Sequence, residues 1–178
     1  MTSHFSEVAL RRAGKIQLAV FDVDGVMTDG RLYYSEDGIE AKTFHTRDGL
    51  GLKALMRHDI QVAVITARQS RLLARRATEL GIEHLMQGRE DKKNALNELL
   101  AQLGLEPWQV AYTGDDLVDW PAMGQCGLKC APADATGWLR ERADHVTTNR
   151  GGHGAVREVC ELVLAGHGLL ESWQESFQ

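Results

Sequence analysis

The sequence predicts an α/β fold in which helices flank a parallel sheet. Two observations predict it. Short apolar runs alternate with amphipathic segments along the chain, the pattern of strands joined by crossover helices. Polar residues such as Thr66 and Asp115 follow their runs directly, with the next helix soon after. The length of 178 residues, 43% of them hydrophobic, matches a single domain with a substantial core. Disorder is excluded by the same figures.

Taken in order, the expected strands are Leu18–Phe21, Gln61–Ile65, Glu83–Met86, Val110–Tyr112, Gly127–Lys129 and His145–Thr147. The expected helices are Leu50–His58, Arg71–Leu80, Asp91–Leu103 and Ala155–Ala165. One segment, Gly30 to Phe44, breaks the alternation. Its β-prone runs Arg31–Tyr34 and Ile39–Phe44 are joined by Ser35-Glu36-Asp37-Gly38, an Asp-Gly hairpin signal. Leaving the first strand's acidic loop, this hairpin is expected to project over the C-terminal edge of the sheet. The stretch after Gly166 is expected to form a C-terminal arm, residues 166–178.

Composition excludes several function classes. Acidic residues outnumber basic ones, 25 to 20, and no basic block stands out, so no nucleic-acid partner is expected. The N-terminus from Met1 to Arg12 lacks the apolar run of a signal peptide, and no stretch approaches the ~20 apolar residues of a membrane span. A soluble, cytoplasmic protein is expected. Cys126, Cys130 and Cys160 form no C-x-x-C pair and read as buried thiols rather than a zinc site. His4, His58 and His84 show no metal-ligand spacing.

The chemistry concentrates where strands end. Phe21-Asp22-Val23-Asp24-Gly25 closes the first strand with two carboxylates and a glycine that can turn the chain. Strand C-termini line the ligand crevice of an open parallel sheet. Carboxylates there are hard ligands suited to magnesium, and one can act as a nucleophile on phosphorus. Thr66 ends the second strand with a hydroxyl able to reach a phosphoryl oxygen. Gln87-Gly88-Arg89-Glu90-Asp91-Lys92 puts a lysine early in a helix, where the dipole does not favour it. Thr113-Gly114-Asp115-Asp116-Leu117-Val118-Asp119 adds a second acidic cluster, which facing the first would need a cation between them or a large pKa shift. Singly these are turn aspartates, a helix-capping threonine and a solvated lysine.

Together, D-x-D, Thr, Lys and G-D-D-x-x-D resemble the four ordered motifs of the haloacid dehalogenase-like phosphatase superfamily over almost the whole chain. The resemblance implies a three-layer, Rossmann-like parallel sheet and a magnesium-dependent phosphomonoesterase. By it, Asp22 is the nucleophile and Asp24 the general acid and then base. Magnesium would be held by Asp22, Asp115 and the main-chain carbonyl of Asp24. Thr66 and Lys92 would stabilise the phosphoryl group, and Asp116 and Asp119 would orient Asp115 or Lys92. Members of the superfamily usually carry a cap domain. Here the stretch from Asp22 to Thr66 holds only the hairpin, a helix and a strand, and that from Thr66 to Lys92 a helix and a strand, so no cap domain fits.

Within the superfamily, GDDLVDWPAM, QGREDK and GGHGAVREVCELVL resemble the 3-deoxy-D-manno-octulosonate 8-phosphate phosphatases, capless tetramers whose subunits complete one another's sites. A homotetramer is therefore expected, with Tyr33 and Tyr34 of the hairpin as contacts. The loop His45-Thr46-Arg47-Asp48-Gly49 matches that family's substrate-contacting loop. Lys53, with Arg68 and Arg76 eight apart on one helix, resembles its basic substrate-binding positions, and Asp24 and Lys92 complete the set. The implied substrate is a small phosphorylated sugar acid, and the pathway lipopolysaccharide precursor synthesis. A nine-carbon relative, 2-keto-3-deoxynononate 9-phosphate, is the alternative. Two departures stand out: Ala67 replaces a common glycine, and His153 stands where relatives often have arginine.

Two non-enzyme readings compete. A phospho-acceptor signalling domain places its acidic pair before the acceptor strand, the reverse of the order here. A non-catalytic oligomerisation module of the same fold has no need of the nucleophile, yet Asp22, Asp24, Thr66, Lys92 and Asp115 are all present.

Overall fold

The computed structural model describes residues 5–38 and 40–178; His4 and Ile39, named above, lie outside the described residues. Ser6 caps the first helix, α1 (Glu7–Ala13), by accepting from the Ala9 amide. The chain then enters β1 (Leu18–Phe21) and a hairpin of β2 (Tyr33–Tyr34) and β3 (Glu40–Ala41). Next come α2 (Thr46–Arg57), β4 (Gln61–Ile65), α3 (Arg71–Leu80), β5 (His84–Met86) and α4 (Lys92–Leu103). After β6 (Val110–Thr113) follow α5 (Trp120–Met123), β7 (Leu128–Ala131), α6 (Gly137–Arg140), β8 (His145–Val146), α7 (Ala155–Gly166) and α8 (Leu170–Glu175).

Six strands form one parallel sheet in the order β5-β4-β1-β6-β7-β8. Side chains alternate between its two faces. Ala19, Phe21, Val62, Val64, Ala111 and Cys130 pack into the core under α1, α2, α3 and α7. Leu18, Val20, Ala63, Ile65, Val110 and Tyr112 pack into a second core under α4, α5 and α6. Every residue of β1 is buried, as the unbroken apolar run LAVF requires of a central parallel strand. The strand order reverses direction at β1, so the ligand crevice of such a sheet opens at its C-terminal end. No cap domain occurs among the described residues.

Five sequence expectations change. The second helix begins at Thr46, four residues earlier than expected, because the His45 ring accepts from the Arg47 amide and caps it. The expected substrate loop His45 to Gly49 is therefore a cap and first helical turn. Arg68 and Arg76 do not share a helix, since Ser70 caps α3 and Arg68 lies in the preceding loop. β7 starts at Leu128, where pairing with β6 begins; the Gly127 amide donates instead to the Pro107 carbonyl. The C-terminal stretch is not a free arm along its length: Leu170 and Trp173 of α8 join the core, and Arg157 stacks on Trp173. The hairpin forms with shorter strands than expected around the Ser35–Gly38 turn, where the Gly38 amide donates to the Ser35 carbonyl. All three cysteines are buried free thiols.

Candidate active site

Asp22 is the first residue beyond β1, and its amide donates to the Thr113 carbonyl of β6 at 3.0 Å. The chain then folds sharply back, with the Val23 carbonyl accepting from the amides of Val26, Met27 and Thr28. Gly25 makes this possible. Its φ is +95°, and a Cβ there would lie 2.1 Å from Asp115 Oδ2. The two acidic loops thus touch.

Lys92, the first residue of α4, reaches between them. Its buried ammonium lies 2.9 Å from Asp22 Oδ1 and 2.7 Å from Asp119 Oδ1. Asp119 is wholly buried. Its Oδ2 accepts from the amides of Asp115 and Asp116, and its Oδ1 from the Tyr112 hydroxyl. It therefore orients both Lys92 and the Asp115 backbone, as expected. Asp116 does not share that role: it is exposed, and its carboxylate caps its own turn by accepting from the Leu117 amide. Thr66 is buried at the end of β4, with its hydroxyl accepting from the Arg68 amide at 3.4 Å.

Negative charge outweighs positive here. Burial, then Asp119, push the Asp22 carboxyl up to about 7 against the pull of Lys92. Burial, then Asp119, Asp22 and Asp116, bring Asp115 to about 7 as well. Burial opposes charge on Lys92, yet Asp22 and Asp119 hold its pKa above the ordinary lysine value. Carboxylate oxygens of Asp22, Asp115 and Asp119 lie within 4.8 Å of one another. Such a set fits a hard divalent cation, which would offset the surplus charge. Since both Asp119 oxygens already accept hydrogen bonds, Asp22 and Asp115 are the better-placed ligands.

Asp24 faces the hairpin. Its Oδ1 lies 2.5 Å from Lys42 Nζ, and its Oδ2 lies 3.7 Å from Arg68 Nε. Arg68 also reaches Glu40 and the Tyr34 hydroxyl. Lys42 was missed by sequence reasoning, because a lysine in a polar hairpin reads as solvated. The available signal was positional: the hairpin was expected over the strand ends, and Lys42 alternates with Glu40 on one side of it.

The other expected substrate residues lie along α2 and α3. Arg76 lies over the first turn of α2, where a Cβ on Gly49 would sit 2.5 Å from its Nη2. Lys53 lines a cavity of about 310 Å³ with Met56, Arg57, Leu80 and Gly81. Thr46 opens α2 and is exposed. Arg47 and His153 line a cavity of about 300 Å³ with Asn149 and Arg157. The buried Asp48 carboxylate accepts from the Arg157 amide at 2.9 Å, tying α2 to the start of α7, and burial raises its pKa.

The profile of the haloacid dehalogenase-like hydrolases matches residues 82–159. A Yersinia pestis protein named 3-deoxy-D-manno-octulosonate 8-phosphate phosphatase is 52% identical over 162 residues, covering 91% of this chain and 87% of that protein. The chain belongs to the haloacid dehalogenase-like hydrolases. Solved structures agree with this hydrolase assignment over nearly the full length. The Yersinia pestis phosphatase superposes with a TM-score of 0.92 at 51% identity, covering 94% of this chain and 90% of that one. A Moraxella catarrhalis phosphatase of the same name, in complex with magnesium, phosphate and KDO, gives 0.94 at 42% identity, covering 98% and 100%. As a hydrolase of this family, the chain carries its candidate nucleophile, Asp22, ahead of the segment that the profile matches.

Proposed function

We propose that the chain is a magnesium-dependent phosphatase that hydrolyses 3-deoxy-D-manno-octulosonate 8-phosphate through an aspartyl-phosphate on Asp22. The observation that carries this reading is the buried Asp22–Lys92–Asp119 group opposite Asp115, with Asp24 two residues beyond the nucleophile. The names of the relatives support the choice of substrate.

Asp22 attacks phosphorus, a bond forms to its carboxylate oxygen, and the bond from phosphorus to the sugar oxygen breaks. Asp24 gives a proton to the departing oxygen. It then takes one from the water that cleaves the acyl phosphate, which restores Asp22. Lys92, already bonded to Asp22, meets the phosphoryl oxygens as charge develops on them, and Thr66 donates from the neighbouring strand. Magnesium, when held by Asp22, Asp115 and the Asp24 carbonyl, supplies charge neutralisation at phosphorus.

An open, capless site selects small substrates poorly by itself. A homotetramer in which neighbours supply the walls accommodates this, and it gives Lys53, Arg76 and the His45–Gly49 turn a substrate to contact. The setting would be the cytoplasm, in lipopolysaccharide precursor synthesis. A nine-carbon keto sugar acid ester is the second reading, since chain length is read by such a composite pocket.

Phosphate release from the eight-carbon ester, its nine-carbon analogue and simple sugar phosphates tests the proposal, with Asp22→Asn as control. Preferential turnover of the eight-carbon ester, abolished by the substitution and by chelator, is expected. Preference for another ester would retain the Asp22 chemistry and discard the substrate.

A further inference from the structure

Asp24 differs from the other acidic residues of the site in how it is held. Asp119 is fixed by amides of its own loop and by Lys92. The Asp24 side chain is 21% exposed, and its two oxygens face cations from two other segments, Lys42 of the hairpin and Arg68 of the loop after β4. These cations are unequal. Arg68 is 40% exposed and 3.7 Å away, whereas Lys42 is 3% exposed and hydrogen-bonded. A buried ammonium is tolerated where a carboxylate meets it. Lys42 meets Asp24 more closely than it meets Glu40, at 3.7 Å.

A proton donor in catalysis must come within about 2.6–3.2 Å of the oxygen it protonates. An aspartate with free side-chain torsions at an open site spreads over several directions, which dilutes the productive one. We infer that Lys42 is a positioning residue: its ammonium, carried in by the hairpin, fixes the direction in which Asp24 presents its carboxyl group to the departing sugar oxygen. This rests on the role of Asp24 proposed above. It makes the hairpin part of the machinery of turnover within a single chain, beyond any part in subunit contact.

The experiment compares Lys42→Met, Lys42→Arg and Asp24→Asn with the unaltered magnesium-loaded protein on two esters. One is the eight-carbon sugar acid phosphate, whose alkoxide needs a proton; the other is p-nitrophenyl phosphate, whose leaving group does not. Loss of an aimed proton donor is expected to lower kcat for Lys42→Met on the sugar ester by about 10²-fold, with KM within about twofold. The loss on p-nitrophenyl phosphate should be about tenfold smaller, and Lys42→Arg should recover most of the sugar-ester rate. Equal losses on both esters without rescue by arginine would reduce Lys42 to a strut for the hairpin. A raised KM with kcat kept would make it a substrate contact. An inactive Asp24→Asn beside an unimpaired Lys42→Met overturns the inference alone, whereas a fully active Asp24→Asn overturns the proposed role of Asp24 and the inference with it.

Discussion

The ends of β1 and β6 and the hairpin above them are built on opposite principles. At the strand ends, Asp22, Lys92 and Asp119 are buried, with Lys92 at the start of α4 bonded to both carboxylates. In the hairpin, Leu32, Tyr33 and Tyr34 are exposed, and side chains tie it down: Tyr33 to Asp29, Tyr34 to Arg68 and Lys42 to Asp24. At the strand ends any loosening would leave charge unpaired away from water. In the hairpin that penalty falls on Lys42 alone among the groups just named, while its tyrosines stay exposed and free to serve contact. The groups proposed to do the chemistry and those proposed to aim them are thus held by different means.

Replacing Lys92 should break this contrast most severely. Lys92→Met leaves Asp22 and Asp119 facing each other while buried, and losing one partner of a buried charge group destabilises by about 3–5 kcal/mol. Chemical denaturation without magnesium would show that loss, alongside phosphatase activity lowered by about 10²–10³-fold. Unchanged stability would mean that the two carboxylates already share a proton.

Magnesium and pH should shift the same cluster less. Asp22 and Asp115 are raised to about 7 in the fold from an ordinary value of 3.8, so the folded chain binds more protons than the unfolded one between those limits. Their contribution to stability is therefore lost as pH rises towards 7. Magnesium binds the deprotonated pair, so its effect takes the opposite course. Thermal melts should show a magnesium-induced rise that is large at pH 8 and nearly absent at pH 5. An equal rise at both would place the cation elsewhere.

The smallest effect is expected in the hairpin. Tyr34 is 64% exposed, and Tyr34→Ala should alter the stability of the chain by no more than about 0.5 kcal/mol. Size-exclusion chromatography of the same variant should show weaker subunit association, in keeping with the proposed contact. An unaltered oligomer would move that contact off the hairpin tip.

This division also governs what could be read from sequence. LAVF, QVAVI and the acidic loops behind them announce themselves, because unbroken apolar runs and paired carboxylates have few other uses. α1 was not anticipated, since it buries only Ala9 and Ala13 and lacks a strong apolar face. The early start of α2 depends on a histidine cap, which is uncommon among capping residues. Lys42 escaped because its burial is tertiary, against Asp24, and the residue types in AKTF do not signal it; only its position in the hairpin does. Arg68 was assigned to the site for its charge while its place on a helix was wrong, because Ser70, the cap that starts α3, lies two residues beyond it.

β1 and β6 run in parallel register, Leu18 beside Val110 and Phe21 beside Thr113, so that both end at the same height and hand the chain to their acidic loops together. The acidic residues are therefore only half of the message; the spacing between them is the other half. A single residue inserted between Val110 and Thr113 would carry Asp115 about 3.3 Å along and exchange the faces of the strand. Every side chain proposed to be catalytic would survive such an insertion. The reaction would not.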